Sequence, residues 1–210
     1  MNEPNAEDFW ERRYADSERV WSGRVNPTLE SLAAELKPGR ALDLGCGEGG
    51  DVLWLAHQGW QALGIDISET AVERARAHVD LDDSAPGSAE FLAAGLPGGM
   101  PDEHFDLISA FFLQSPVALD RQTILRAAAS RVAVGGHLLM VSHATAPPWA
   151  RQRLGRAGMP TLERELQVLQ PSGAWDVEVG EVRQRSTVGP DGEDVVLEDL
   201  IVMAERHAPG

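Results

Sequence analysis

The sequence predicts an α/β fold with a mostly parallel seven-stranded sheet between two helical layers, and an antiparallel hairpin at one sheet edge. Short apolar runs alternate with helical patterns from about residue 26 to about residue 170, which is typical of β-α-β units. Two β-rich runs follow, joined through turn residues 189–192. The length of 210 residues and the absence of a linker favour one domain over 1–210.

Each strand is predicted from an apolar or β-rich run bounded by turn residues or by a helical pattern. Ala41–Leu44 is the first buried strand, and the last two runs form the hairpin. The other predicted strands are 61–65, 90–93, 105–111 and 137–142, and the hairpin strands are 175–185 and 195–204.

The helices are predicted from apolar residues at helical spacing and from their start and stop signals. Asn26 and Pro27 suit the N-cap and first position of a helix that ends before Pro38, and Ser68 suits the cap of a helix reaching Val79. Further helices are predicted over 49–58, 119–132 and 161–169. We expect 80–88 to be an exposed loop and 144–169 to cover the sheet edge.

Composition and charge exclude several classes of protein. No apolar run approaches the length of a membrane span, and the acidic start of the chain does not resemble a signal peptide. The lone Cys46 cannot form an intramolecular disulfide, which fits the cytoplasm. A net charge of -15 opposes nucleic-acid binding, and the six histidines show no metal-ligand spacing. We therefore expect a small-molecule partner, no metal and no membrane; the oligomeric state stays open.

A glycine-rich turn follows the first strand at residues 45–50, and Asp66 closes the second strand. Glycines let the backbone turn sharply and approach a ligand closely, because no Cβ obstructs it. Asp66 lies about 20 residues after Gly45, the spacing expected between a glycine turn and a carboxylate that binds ribose hydroxyls. The pair therefore predicts a cofactor that contains adenosine.

Charge separates the two cofactors that this pattern allows. Gly45, Gly47 and Gly50 also satisfy the dinucleotide pattern, but the carboxylate of Glu48 would oppose a pyrophosphate at the helix N-terminus. S-adenosylmethionine carries an ammonium and a sulfonium, so Asp43 can hold its cationic end while the loop amides meet its carboxylate. An NAD-dependent oxidoreductase stays as the alternative.

Over residues 20–145 the chain resembles the Rossmann-like (class I) S-adenosylmethionine-dependent methyltransferases. The resemblance rests on 43–49 as the first motif, Asp66 as the ribose-binding acid, 105–110 as the fourth-strand motif, and 134–136 in place of Pro-Gly-Gly. The opening residues 9–14 and 20–27 are similar to the tellurite-resistance and thiopurine-type branch, which acts on small molecules.

The resemblance implies a cofactor site and an amino-terminal arm, residues 1–25, that covers it. The implied cofactor-binding residues are Trp21, Asp43, Gly45, Cys46, Gly47, Asp66, Ile67, Ala94, Gly95, Leu96, Ala110 and Phe111. Two positions depart from the family pattern. Gly95 stands where an Asp commonly faces the adenine, and Gln114 stands where a His often follows the fourth strand.

The acceptor cannot be named from sequence, because methyl transfer from a sulfonium requires alignment rather than a metal or a covalent nucleophile. Candidate pocket residues are Tyr14, Arg24, Gln114 and His143, with Gln114 and His143 as catalytic candidates. His143 is a base or a structural histidine, Arg24 an acceptor ligand or a solvated side chain, and Trp21 a lid or an anchor for the arm. A protein that binds the cofactor without turnover is a further alternative.

Overall fold

The computed structural model describes residues 5–79, 85–150, 158–170 and 174–208. These form one seven-stranded sheet of strand order β3-β2-β1-β4-β5-β7-β6. The strands are β1 (Arg40–Leu44), β2 (Gln61–Asp66), β3 (Ser88–Ala93), β4 (Phe105–Phe111), β5 (Val132–His143), β6 (Ala174–Val188) and β7 (Asp194–His207). The helices are α1 (Ala6–Ala15), α2 (Pro27–Ala33), α3 (Gly50–His57), α4 (Glu69–Val79), α5 (Arg121–Arg131) and α6 (Leu162–Leu166).

The sheet topology confirms the predicted fold class. Strands β1 to β5 pair in parallel, whereas β7 pairs antiparallel with both β5 and β6. The strand order reverses direction at β1, between β2 and β4, and ligands of open α/β sheets bind in the crevice at such a point. The glycine turn after β1 lies at this crevice.

Two apolar clusters cover the two faces of the sheet, because successive strand residues point to opposite sides. Leu42, Ile108 and Leu138 lie on the face that α5 and α6 cover. Leu107 and Leu139 lie on the other face, which α2, α3 and α4 cover. Asp43 and Ser109 are paired positions, two residues along from Ala41 and Leu107, so they share the second face with His143 and Asp199.

Local signals position the helices that border the site. Asn26 accepts the N–H of Thr28, and Ser68 Oγ accepts the N–H of Ala71 at 3.2 Å, as expected of capping residues. Positive φ angles at Gly49 (+84°) and Gly47 (+54°) let the chain turn from β1 directly into α3. The predicted helix and strand positions are thus confirmed, with ends that differ by a few residues.

Three predicted segments differ in extent. The expected loop over 80–88 ends earlier, because Ser88 already pairs with Gln61 as the first residue of β3; residues 80–84 lie outside the described part. The helix expected over 161–169 is regular only over Leu162–Leu166. Of the expected cover over 144–169, residues 151–157 lie outside the described part. In the described ranges we find no helix of a length and apolarity that could cross a membrane.

Candidate cofactor and active site

The glycine turn is shaped by three residues in the left-handed region. Gly45, Gly47 and Gly49 have φ angles of +75°, +54° and +84°. A Cβ added at Gly47 would lie 2.9 Å from the hydroxyl of Tyr14, and one at Gly45 would lie 2.9 Å from Leu113 Cδ1. Both positions therefore favour glycine for their backbone conformation, and at Gly47 an added Cβ would also displace the Tyr14 hydroxyl.

The amides of this turn are engaged within the protein. Gly45 and Cys46 both donate to the carbonyl oxygen of Ile65, at 2.8 and 3.1 Å. Gly49 donates to the carbonyl of Cys46, and Gly47 donates to Asp66. The expectation that these loop amides meet a ligand carboxylate is therefore wrong for these four. The same occupancy removes them as donors to a pyrophosphate, which such loops bind through backbone N–H groups.

Asp66 joins the glycine turn to the start of α4. Its Oδ2 accepts the N–H of Gly47 at 2.9 Å, and its Oδ1 accepts the N–H of Ser68 at 3.0 Å. Burial raises the pKa of Asp66, although these backbone hydrogen bonds act in the opposite direction. Each oxygen keeps lone-pair capacity for a ligand hydroxyl, so the carboxylate can both fix the turn and accept from a ribose.

Asp43 and Asp51 place two further carboxyl groups beneath the turn. Asp43 is 3% exposed and accepts the hydroxyl of Ser109 at 2.7 Å, while Asp51 accepts the N–H of Asn26 at 2.6 Å. Burial and the neighbouring carboxyl of Asp51 raise the pKa of Asp43 to about 8. Burial also raises the pKa of Asp51. Among the described residues no cationic side chain pairs with either group, so a cationic ligand would meet uncompensated carboxylates here.

Glu48 fastens the amino-terminal segment to the glycine turn. Its buried carboxylate accepts the backbone N–H groups of Val20 and Trp21, at 3.1 and 2.9 Å, and pairs with Arg74 at 3.0 Å. Sequence reasoning assigned Glu48 only the effect of opposing a pyrophosphate. The sequence shows a carboxylate inside a glycine turn. It does not show what that carboxylate binds, because the donating backbone N–H groups lie 27 or 28 residues earlier, in a segment without regular structure.

Tyr14 and Trp21 lie directly over Gly47. The indole N–H of Trp21 donates to the hydroxyl of Tyr14 at 2.8 Å, and Trp21 Nε1 would lie 3.1 Å from a Cβ at Gly47. Tyr14 is 3% exposed and burial raises the pKa of its phenol, so it packs on the turn. Trp21 is 49% exposed and therefore combines the anchoring contact with a ring that still faces solvent.

Helix α1 spans the carboxyl edge of the sheet. On one side Glu11 accepts the hydroxyls of Ser68 and Thr70, at the start of α4. On the other side the indole N–H of Trp10 donates to Ser115 Oγ at 3.3 Å, just beyond β4. The helix thus bridges the two flanks of the crevice that the glycine turn occupies.

A shallow cavity of about 200 Å³ lies between α1 and the ends of β2 and β3. Its lining residues are Glu7, Glu11, Ile67, Glu69, Ala93, Ala94 and Gly95. Nothing lies within 4 Å of a Cβ built at Gly95, so this side of the cavity is open. Ile67, Ala94 and Gly95, three residues expected to bind the cofactor, therefore share one cavity.

The other residues expected around the cofactor are more enclosed. Leu96 packs against the cluster on the α5 face, and Ala110 is buried within that cluster. Phe111 packs against the cluster on the opposite face. Burial raises the pKa of Cys46 well above its usual value, and its sulfur would lie 2.8 Å from a Cβ at Gly64. This thiol is a compact packing residue rather than a reactive group.

Gln114 and His143 meet at the carboxyl ends of β4 and β5. Gln114 Oε1 accepts the backbone N–H of His143 at 2.8 Å, and the His143 Nδ1 atom lies 3.3 Å from Asp199 Oδ1. Both candidates predicted from sequence are thus brought together. Arg24 is exposed, and its backbone N–H donates to Ser22 Oγ at 3.2 Å, so the structure does not bring its side chain to Gln114 and His143.

The larger cavity, about 370 Å³, lies at the opposite edge of the sheet. Its lining includes Gly39, Trp60, Asp106 and His137, which surround the amino ends of β1, β2 and β4 and the early part of β5. Near it, ligand-type atoms of His137, Glu178 and Glu205 lie within 4.8 Å of one another. Sequence spacing gave no signal for this group, which three strands assemble. The 370 Å³ cavity lies at the sheet edge opposite the glycine turn, so the size of a cavity does not identify the cofactor site here.

Comparison with known proteins agrees with this geometry. The thiopurine S-methyltransferase family model matches residues 5–94. A thiopurine S-methyltransferase of Pseudomonas entomophila is 44% identical over 69 residues, 31% of this chain and 32% of that protein. The N-methyltransferase NodS of Bradyrhizobium japonicum, solved with S-adenosyl-L-homocysteine, has a TM-score of 0.67 at 18% identity, covering 96% of this chain and 99% of that one.

A second solved structure, from work on conversion of a disulfide bond into a thioacetal during echinomycin biosynthesis, has a TM-score of 0.73 at 24% identity. It covers 97% of this chain and 93% of that chain. The chain spans about a third to a half of the length of the first curated relatives it matches. The chain thus shares the fold of these solved structures, and its residues 5–94, which include the glycine turn and Asp66, match the thiopurine S-methyltransferase family model.

Proposed function

We propose that this protein transfers the methyl group of S-adenosylmethionine to a small-molecule acceptor. The observation that carries the proposal is a set of three carboxyl groups beneath the glycine turn, the buried Asp43 and Asp66 and the partly buried Asp51, which have no cationic partner among the described side chains. A ligand with an ammonium and a sulfonium supplies the missing positive charge. A dinucleotide would add a pyrophosphate to the same place.

Each part of the cofactor has a counterpart in the site. Asp66 accepts the ribose hydroxyls, and Asp43 lies beneath the cationic methionine end. Adenine occupies the cavity beside Ile67 and Ala94, where Glu7 and Glu69 offer acceptors for its amino group in place of the Asp that Gly95 replaces. Trp21 and Tyr14 cover the turn, so the described part of the amino-terminal arm, residues 5–25, would lie over the cofactor.

The chemistry needs alignment above all. The acceptor atom attacks the methyl carbon in line with the departing neutral thioether, and fixed orientation can contribute about 7–11 kcal/mol toward such a step. The protein supplies this by enclosing the cofactor between the sheet edge and α1. A small-molecule acceptor fits the net charge of -15, and the single cysteine fits a cytoplasmic enzyme.

Isothermal titration with S-adenosylmethionine, S-adenosylhomocysteine and NAD tests the cofactor. We expect micromolar binding of the first two and none of NAD, and Asp66→Ala should weaken binding at least tenfold. Asp176→Asn, an exposed carboxylate on β6, is the matched control and should bind as the wild type does. Tight NAD binding without the other two would reverse the assignment.

Turnover is a separate question from binding. Incubation with cofactor labelled in the methyl group and a panel of thiols, phenols, amines and halides should give at least one labelled product. Cofactor binding without transfer to any of them, or to acceptors in a cell extract, would instead identify a protein that binds the cofactor without catalysis.

A further inference from the structure

A linked group of charged and aromatic side chains lies at the carboxyl edge of the sheet, two strands away from β1. His143 Nδ1 is 3.3 Å from Asp199 Oδ1, and Arg185 Nε donates to Asp199 Oδ2 at 2.5 Å. The His143 ring also lies against Phe112, with centroids 4.4 Å apart. Three strands, β5, β6 and β7, therefore contribute to one group outside the cofactor turn.

This group shares a sheet face and an edge with the proposed cofactor site. Asp43 pairs with Ser109, Ser109 with Leu139, and His143 lies four residues beyond Leu139 on the same face. Neighbouring strands are about 4.8 Å apart, so β5 lies roughly 10 Å from β1. A small acceptor placed between β1 and β5 would have the cofactor on one side and the His143 ring on the other.

We propose that His143 is the proton acceptor for the methyl acceptor, and that Asp199 and Arg185 are positioning residues acting through it. This inference rests on the proposed function. It names the acceptor class: a small aromatic or apolar compound whose attacking O–H, N–H or S–H group keeps its proton at neutral pH. Phe112 supplies an apolar wall beside the ring for such a compound.

The hydrogen-bond geometry suits a base rather than a satisfied structural histidine. Asp199 engages Nδ1, which leaves Nε2 without a protein partner among the described residues. The His143 ring keeps 18% of its surface accessible, whereas Asp199 is almost fully buried. A buried carboxylate on one ring nitrogen fixes the ring orientation and the tautomer, so that the other nitrogen can accept a proton.

The backbone around His143 is held as firmly as its ring. Gln114 bonds both the N–H and the C=O of His143, at 2.8 and 3.4 Å. Phe112 has a φ of +50°, a conformation that a bulky residue rarely adopts, and it donates its N–H to Val141 at 2.7 Å. Strain of this kind persists only where the surroundings enforce it, and here it holds the ring of Phe112 against His143.

Arg185 completes the arrangement by binding the far side of the carboxylate. Burial by itself would raise the pKa of Asp199, but the hydrogen bonds from His143 and Arg185 outweigh it and lower the pKa. Asp199 therefore stays ionised over the working pH range. Asp199 thus bonds both the His143 ring and the Arg185 guanidinium, and these are its ion-pair partners among the described residues.

The step balances without any further reactant. The acceptor heteroatom forms a bond to the methyl carbon as the bond from that carbon to sulfur breaks, and the sulfur leaves as a neutral thioether. The acceptor's proton moves to Nε2 of His143 and then to water. Acceptors that are already ionised need no such base, which separates two groups of substrate experimentally.

The test compares His143→Gln and Asp199→Asn with the wild type on a graded series of phenols and thiols whose own acidities lie above and below the assay pH. For acceptors protonated at that pH we expect kcat/KM to fall about 100-fold or more for His143→Gln, in the range that general bases contribute. For ionised acceptors we expect a change of less than about threefold. Asp199→Asn should lower kcat with a similar selectivity and little change in KM. His78→Gln, an exposed histidine on α4, is the matched control.

Equal losses on both acceptor groups, or no loss on either, would overturn the proposal. Calorimetric titration of each variant with S-adenosylmethionine separates this failure from failure of the proposed function, because the wild type would then bind no cofactor. The pH profile of the wild type is the second readout. We expect the rate to fall toward acid pH for acceptors that keep their proton, and this fall to be absent for acceptors ionised at every pH tested. A fall common to both groups would also contradict the role of His143.

Discussion

The carboxylate of Glu48, inside the glycine turn, accepts the backbone N–H of Trp21 at 2.9 Å, so the turn is attached to the amino-terminal segment of residues 5–26. The same carboxylate accepts from Val20 and pairs with Arg74. Because Arg74 also donates to the carbonyls of Tyr14 and Ser17, a single buried anion organises contacts from three parts of the chain.

Substituting Glu48→Gln should loosen the amino-terminal segment. The amide loses the charge and one acceptor oxygen, and hydrogen bonds to charged groups contribute about 1.5–3 kcal/mol each at buried positions. We expect a loss of about 1–2 kcal/mol in unfolding free energy, faster proteolysis within residues 5–26 and weaker cofactor binding. Glu103→Gln removes an exposed pair with Arg40 and should change little. Equal protease sensitivity of the two variants would contradict the inference that Glu48 holds the amino-terminal segment in place.

Substituting Gly47→Ala should lower the free energy of unfolding by more than the positive φ angle alone would explain. A left-handed φ costs a residue with a Cβ about 1–2 kcal/mol, and here the Cβ would also lie 2.9 Å from the Tyr14 hydroxyl. Gly135→Ala is the matched control, because Gly135 has a φ of +80° and nothing within 4 Å of its Cβ.

Urea unfolding measures both glycine variants. We expect Gly47→Ala to lose about 1–2 kcal/mol more than Gly135→Ala, through overpacking. The fluorescence of Trp21, whose ring lies over Gly47, should change only in the first variant. Equal destabilisation would mean that Tyr14 and Trp21 do not seat on the turn.

Local sequence patterns predicted most of the fold. The alternation of apolar runs and helices predicted the parallel strands, and turn residues 189–192 predicted the hairpin of β6 and β7. Ser68 could be recognised as a cap because its partner, Ala71, is three residues away. The spacing of Gly45 and Asp66 predicted their approach for the same reason: one β-α-β unit brings them together within about 20 residues.

The stability of the free protein should fall as the pH rises from about 4 to about 8. Burial raises the pKa of Asp43 to about 8, while an unfolded chain has an aspartate pKa near 3.9. Between these values the native state binds more protons than the unfolded state, so unfolding free energy decreases with pH, by about 1 kcal/mol per pH unit for one such group. Thermal or urea unfolding across this range measures it.

Substituting Asp43→Asn should remove most of that slope while leaving an acceptor for Ser109. Above about pH 7 we expect the variant to be more stable than the wild type without ligand, yet to bind S-adenosylmethionine more weakly. In the wild type, binding should tighten as the pH rises through the same range, since the ionised carboxylate attracts the cation. A variant with an unchanged slope would mean that another group carries the proton.

Replacing one partner of the Arg121–Glu165 ion pair should lower the free energy of unfolding more than replacing both partners. Arg121 reaches Glu165 at 2.5 Å and Ser142 at 2.7 Å, and Glu165 is 1% exposed. Removing one partner leaves a buried charge, so Glu165→Leu should lose about 3–5 kcal/mol. The double variant Arg121→Leu with Glu165→Leu should recover much of this loss. A double-mutant cycle in urea measures the coupling, and additive losses would contradict it.

The contacts at the site that the sequence did not predict are hydrogen bonds between residues that are far apart in the chain. Glu48 was recognisable as an acid in a glycine turn, but only the folded chain shows that backbone amides from residues 20 and 21 satisfy it. Asp199 gave no signal, because its contact with His143 spans 56 residues and depends on the antiparallel register of β5 and β7. Side-chain partners across strands follow from register, which local patterning fixes only in part.

Helix α1 contacts both flanks of the crevice: Glu11 bonds Ser68 at the start of α4, and Trp10 bonds Ser115 beyond β4. A nucleoside bound in the shallow cavity beside it would therefore lie against a helix that is attached at both flanks. If the proposed cofactor binds there, movement of this ten-residue helix would widen or narrow the opening through which spent cofactor is exchanged.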